Sequence, residues 1–556
     1  MICQRLSLLF LTLGVLMCAC QPSNDTTKTV VQNVQGYTFY DGDLKDFSAI
    51  AFQDGKVIDV YSDTTFEGDA NTEVIDGEGK FMLPGLIDAH AHVMGLGSML
   101  MNVDLKGAKS LDEALKMIKE YAAKYPDLKW IQGRGWNHTH WETGEFPTAE
   151  DLDKVISDRP VWLSRVDGHA GWANTKAMEL AGITAETKAT KGGKIIRDEN
   201  GEPTGIFVDA AEKLINSEIP EPTAEERRTA FEKALQDMRS KGLTGVHDAG
   251  VGTKTWSMYK NFADEGKLTT RIYGMISGVG ATFDSLSKGG PIENYNNHLL
   301  ALRSVKLYAD GALGSRGAAM IEPYSDDPNN KGLLFNEPEE MNAKVLKSMA
   351  KGFQTNVHAI GDQANRQVLN AFKNAKDSLG EQGLRNRIEH AQIVAPNDIP
   401  RFKELNIIAS IQPTHATSDM NMAEDRVGPE RIQGAYAWQT FLDQGTVVAS
   451  GSDFPVEHVN PFYGLYSAVT RQDHQGNPQG GWYPSERMTR KQALRSFTLD
   501  AAYAAHYEEV LGSLESGKWA DFIIIDRDFF EVPASEIWQT KVLETWLAGE
   551  KVYSAK

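Results

Sequence analysis

Between residues 83 and 507 the chain alternates short apolar runs with amphipathic helical segments, and nothing narrows its fold more than this. Strand candidates follow Pro84-Gly85 at Leu86-Ile87 and recur at residues 244–248, 304–309, 354–358, 386–390, 407–411 and 446–452. Residues 111–124 have helical spacing. Thr223-x-x-Glu226 is a capping box opening a helix that runs to Ser240 and closes at Gly242. Apolar strands separated by helices predict a parallel sheet covered by helices, hence an α/β chain. A (β/α)8 barrel of the TIM type needs about 250 residues, so a region this long carries large insertions. The richest, about residues 131–218, is packed with Trp, Gly and His. The second barrel strand is sought inside it, without a distinct signature there.

The polar residues at the ends of these runs are the candidate site. His90 and His92 lie two apart, so on a strand both project to one side. Two imidazoles converging from one strand end are the beginning of a divalent metal site. Lys306 sits inside the fourth strand candidate, His358 ends the fifth, Glu389-His390 ends the sixth and Asp453 follows the eighth. Barrel enzymes place their chemistry at this carboxyl end. Lys306 in an apolar strand would be costly unpaired. Either it carries a modification, such as the carbamate a depressed-pKa lysine forms with carbon dioxide, or it is held in an ion pair. A strand-end Asp453 is a natural general base, and Glu389 reads as structural, holding Arg387 or a backbone amide.

Composition excludes several function classes. A net charge of −19 over 556 residues disfavours nucleic acid and anionic membrane surfaces. All three cysteines, Cys3, Cys18 and Cys20, fall in the first twenty positions. Arg5 followed by the apolar run from Leu6 to Met17 reads as a signal peptide (residues 1–19), too short for a stable transmembrane helix. Met17-Cys18-Ala19-Cys20 resembles a bacterial lipobox with Cys20 as the lipidated residue, and residues 20–29 read as a polar tether. The expected location is the cell envelope, anchored by lipid and facing the periplasm or exterior. Residues 30–82 carry alternating runs around the hairpin signal Asp54-Gly55. A similar texture returns in 508–556, which predicts one β-sandwich built from both termini around a barrel at 83–507.

The motifs together resemble the amidohydrolase superfamily, and within it the third amidohydrolase family, whose YtcJ-like branch includes N-substituted formamide deformylases. The resemblance is carried by the run Leu83 to His92, by Asp167-Gly168-His169-Ala170-Gly171, and by Asp310-Gly311-Ala312-Leu313-Gly314-Ser315-Arg316. His358-Ala359-Ile360-Gly361-Asp362, Arg387-Ile388-Glu389-His390-Ala391 and Gly451-Ser452-Asp453-Phe454-Pro455 complete it. Gly317 departs from the threonine such chains often carry, which bears on pocket shape.

What the resemblance implies is a metal-dependent hydrolase barrel with one or two divalent cations. His90 and His92 would hold the first metal, His358 and His390 the second, Lys306 would bridge as its carbamate, and Asp453 would touch the first metal and shuttle protons. Zinc suits this set best, with manganese, nickel and cobalt compatible. The expected reaction is hydrolysis of a non-peptide C–N bond (amide, N-formyl or N-acyl) by metal-activated hydroxide. An isomerase or decarboxylase on the same scaffold, and a non-catalytic metal-binding surface lipoprotein, are the alternatives. His169 is expected to face substrate or to pack in the insertion, and Arg316 to meet a substrate anion or to pair with a neighbouring loop. Trp136, Trp141 and Trp172 either wall a pocket or form ordinary core, and His138 and His140 are expected not to ligate. The expected partner is a small-molecule substrate, an oligomer being compatible with the sequence.

Overall fold

The computed structural model describes residues 27–62, 66, 71–142, 144–165, 170–189 and 193–556. The leader, Cys20, most of the tether and His169 lie outside the described residues. Among those described, no helix is long and apolar enough to cross a membrane.

Eight parallel strands form the barrel, in chain order Leu86–Ala91, Leu243–Val251, Arg271–Ser277, Leu300–Tyr308, Gln354–Ala359, Arg387–His390, Ile408–Ile411 and Val448–Ser450. Each pairs with the next, through register shifts among the first four and evenly from the fourth onward, as in Lys306 opposite Asn356 and Ala359 opposite His390. Between the eighth strand and the first the ladder gives way to side-chain and single backbone bonds. Asp88 accepts from the Ser452 N–H and hydroxyl, and the Asp453 N–H donates to the His90 carbonyl at 2.8 Å. Apolar strands and the inner faces of the surrounding helices make one continuous core, in which Phe231, Leu235, Ile272, Val305, Val357 and Val368 are buried. The predicted capping box is present: the Thr223 hydroxyl accepts from the Glu226 N–H and the Glu226 carboxylate from the Thr223 N–H, opening helix Ala224–Ser240.

The second barrel strand is not in the insertion. It is Leu243–Val251, and the third, Arg271–Ser277, escaped the sequence reading. The insertion instead occupies the crossover between the first two barrel strands. It builds its own six-stranded sheet from Val103–Asp104, Ile131–Trp136, Val161–Arg165, Ala170–Ala173, Pro203–Asp209 and Gly193–Arg197. Trp136, Trp141 and Trp172 are its buried core, with indole N–H groups donating to the carbonyls of Leu163, Ala108 and Thr148. These tryptophans are core, the second of their two sequence readings.

The chain ends share an eight-stranded sheet. Asp54-Gly55 turns Asp43–Gln53 into antiparallel Lys56–Tyr61 as its sequence requires. Phe81–Pro84 pairs antiparallel with Phe522–Ile525, and Gly85 then carries the chain into the first barrel strand. The sheet thus fixes the start of the strand that bears His90.

Candidate metal centre

Strand periodicity places most of the candidate residues, and two left-handed backbone positions place the rest. Arg387 and Glu389 point into the barrel and are wholly buried. Regular alternation would send His390 outward with Ile388, which packs in the helix-covered core. His390 instead adopts φ 75°. Its ring comes to lie 4.5 Å from that of His358 and 5.0 Å from that of His90, centroid to centroid. Asp453 likewise has φ 60°. Non-glycine residues held in this region are costly and gather at functional sites.

Six of the sequence candidates converge. Asp453 Oδ1 lies 3.1 Å from His92 Nε2 and 3.6 Å from His90 Nε2. Lys306 Nζ lies 3.0 Å from His90 Nε2. His358 and His390 complete the ring of imidazoles. One ligand atom each from His90, His390 and Asp453 fall within 4.8 Å of one another. Behind them, His90 Nδ1 meets Glu389 Oε2 at 2.5 Å and His390 Nδ1 meets Gln412 Oε1 at 2.7 Å. Both rings therefore turn Nε2 towards the shared space.

The electrostatics suit ligation. Burial, reinforced by the Lys306 ammonium, pushes His90 down to about 4 and His358 down to about 3, and holds His390 well below the usual histidine range. The imidazoles are thus neutral near pH 7, the form that binds metal. Burial pushes Lys306 down to about 8 against the pull of Glu389 and Asp453. Burial alone would raise Glu389, but Arg387, His90 and Lys306 reverse it and hold the carboxylate ionised. His92, His90 and His415 do the same for Asp453.

A divalent cation fits this donor set. His358 Nε2 and His415 Nε2 are buried ring nitrogens with no hydrogen-bond partner among the described residues. Buried polar atoms are rarely left so, and an ion is one of the few occupants that satisfies them together. Imidazole nitrogens with a carboxylate oxygen are zinc-type ligands.

The profile of the amidohydrolase family matches residues 73–553. The chain belongs to the amidohydrolase family. It is 36% identical over 534 residues to the protein LONG AFTER FAR-RED 3 of Arabidopsis thaliana, covering 92% of this chain and 89% of that one. It is 33% identical to the putative amidohydrolase YtcJ of Bacillus subtilis (87% and 91% covered) and 28% identical to the N-substituted formamide deformylase of Arthrobacter pascens (90% and 94%). Among solved structures, an uncharacterised metal-dependent hydrolase from Pyrococcus horikoshii superposes with a TM-score of 0.75 at 28% identity, over 91% of this chain and 99% of that one. The amidohydrolase is accordingly a metal-dependent hydrolase in class.

Other candidates of this amidohydrolase lie elsewhere. Arg316, in a left-handed position, makes a bidentate pair with Asp326 at 3.1 and 2.9 Å, and Arg426 joins the same carboxylate. Its guanidinium is engaged by the neighbouring loop. His138 stacks on Phe146 in the insertion.

Two residues of the site have no role in the sequence reading, His415 outright and Asp310 beyond its place in a motif. His415 follows the seventh strand, stacks on His390 and sets Nε2 3.8 Å from Asp453 Oδ2. The rule that found the other ligands, a polar group just past a barrel strand, applies to Gln412-Pro413-Thr414-His415 as well. Asp310 accepts from the N–H groups of Ala319, Ile360 and Gly361 and lies 3.6 Å from His358 Nε2. It ties the loop after the fourth strand to the end of the fifth.

Proposed function

We propose that this amidohydrolase cleaves a non-peptide carbon–nitrogen bond, in an amide, N-formyl or N-acyl compound. The observation that carries the reading is the convergence of His90, His92, Lys306, His358, His390 and Asp453 on one space at the carboxyl end of the barrel. The similarity to an N-substituted formamide deformylase supports the bond type.

His90, His92 and Asp453 would hold one cation, His358 and His390 a second, with Lys306 bridging as its carbamate. Zinc or a similar cation supplies Lewis acidity there, lowering the pKa of water and neutralising charge that develops on the carbonyl oxygen. Asp453 is built to move the proton. Its Oδ1 faces His92 and His90 while Oδ2 faces His415. It takes one proton from the attacking water and returns it to the nitrogen as the C–N bond breaks, so that water is consumed and an acid and an amine are released. His169 is proposed to face the substrate from the insertion. Lipidation of Cys20 and an envelope location rest on the leader sequence and are proposed on that ground alone.

The test is a panel of N-formyl and N-acyl amines offered to zinc-loaded protein, with amine and carboxylic acid measured together. Equimolar release supports the reading. Metal-dependent turnover of other compounds on the panel's margins by isomerisation or decarboxylation, with no amide cleaved, would overturn it in favour of the other chemistry on this scaffold.

A further inference from the structure

Beneath the imidazoles lies a set of charged and polar groups that the hydrolytic chemistry does not use. Arg387, Glu389 and His247 are buried in the barrel interior, where branched apolar residues are usual. Arg387 Nε lies 2.9 Å from Glu389 Oε1, Arg387 Nη1 lies 2.8 Å from His247 Nδ1, and Nη2 points to the Met275 sulfur at 3.5 Å. The His247 ring also meets the backbone of Ala89, the residue before His90. Glu389 Oε2 returns to His90 Nδ1 at 2.5 Å. The chain of contacts leaves the first strand at Ala89, crosses the second and sixth, and comes back to the first at His90.

A buried ion pair of this kind is a poor source of stability, since apolar residues of similar volume do as well or better. Its value lies in what it does to His90. A carboxylate can only accept, so His90 Nδ1 carries the proton and Nε2 the lone pair. On the far side Lys306 Nζ, a donor when charged, sits 3.0 Å from that same Nε2. The Glu389 contact by itself specifies this tautomer, whether Lys306 is the ammonium or the carbamate.

We propose that Glu389, held by Arg387 and His247, is the positioning residue that fixes the tautomer and orientation of His90 for metal. The inference rests on the metal reading above and concerns how tightly the cation is held. A carboxylate behind a ligating imidazole raises its donor strength, and losing such a partner typically weakens metal binding 10–100-fold. Arg387 makes the buried carboxylate tolerable. His247, itself fixed by Ala89, keeps the guanidinium aligned.

The experiment is Zn²⁺ affinity of the full chain by competition with a chromophoric chelator, in wild type and Glu389→Gln. Arg387→Met with Glu389→Gln removes both charges together and leaves no lone buried ion should the single variant fail to fold. Asp521→Asn is the control, because it breaks another buried pair, Arg271–Asp521, which is linked to the terminal sheet. The expected result is Zn²⁺ binding about 10–100-fold weaker in the Glu389 variants, with wild-type affinity in Asp521→Asn despite a lowered melting temperature. Equal affinity in wild type and folded Glu389 variants overturns the inference and spares the metal reading. Refusal of Zn²⁺ by wild type overturns both.

Discussion

The backbone N–H of Asp453 donates to the carbonyl of His90 at 2.8 Å. This bond and the donation of the His92 N–H to the Phe454 carbonyl, also at 2.8 Å, join the last and first strands and set the proposed proton carrier beside the first metal-ligand candidate. Asp88 reinforces the junction by accepting from the N–H groups of His90 and Ser452. Closure of the fold and assembly of the site are therefore the same event, so changes at the junction should affect stability and metal retention together.

Gly451 sits at this junction. A Cβ there would lie 2.5 Å from both Asp88 Oδ1 and the His90 nitrogen, with no flexible side-chain end to yield on the backbone side. Gly451→Ala is expected to cost about 1–3 kcal/mol, as overpacking does, and to lower the zinc retained after dialysis. Thermal melting and metal analysis on the same preparation check it. Unchanged zinc with a lowered melting temperature would separate the two effects.

Asp453→Asn keeps the size of the side chain and removes its ability to take a proton. Turnover of any N-formyl or N-acyl substrate found should fall by about 10²–10⁴ in kcat while the protein stays folded. Steady-state kinetics and circular dichroism decide this. A variant retaining a tenth of the wild-type kcat would remove Asp453 from the proton path.

Arg316 gives the opposite expectation. With its guanidinium already paired to Asp326 at a partly exposed site, Arg316→Ala should leave stability nearly unchanged. It should also leave kcat/KM nearly unaltered. Loss of a direct charged hydrogen bond to a substrate anion would cost about 1.5–3 kcal/mol, or tenfold and more. A fall of that size would return Arg316 to the substrate site.

A pH effect on stability should come from His506, far from the cluster in sequence and donating from Nε2 to the Leu384 carbonyl at 3.2 Å. Burial, with Arg303 and Arg385 nearby, pushes it down from 6.5 to about 4. Below pH 6.5 the unfolded chain binds a proton that the folded chain refuses. Stability is thus full above about pH 6.5 and declines as the pH falls towards 4. With a discount for its partial exposure, the loss is about 1 kcal/mol. His506→Asn, which tolerates the left-handed backbone there, should flatten that window in denaturant melts at pH 7.5 and 5.0.

Much of this was legible in the sequence because strand alternation and strand ends are local signals. Lys306 inside an apolar run, and histidines closing others, mark the barrel's active end without any long-range information. Arg271–Ser277 escaped because it opens with a charged residue whose partner, Asp521, lies 250 positions away, and it has Gly274 at its middle. The insertion's own strands also carry the texture expected of a barrel strand. Glu389 was read as a structural partner of Arg387, and it is one. Its contact with His90 depends on the first and sixth strands facing each other across the barrel, which no local pattern encodes. The inward turn of His390 depends on a left-handed φ that its residue type does not announce.

The strand-end cluster is expected to bind catalytic metal, and the metal content of the purified protein is the decisive measurement. Protein purified with bicarbonate and without chelators, then analysed by plasma emission, should carry about two equivalents of a divalent cation per chain, as expected of a bridged two-metal site. Lys306→Ala should carry one or fewer. Folded wild-type protein that holds no metal and takes up none from added zinc would rule out a metal centre at His90, His92, Lys306, His358, His390 and Asp453.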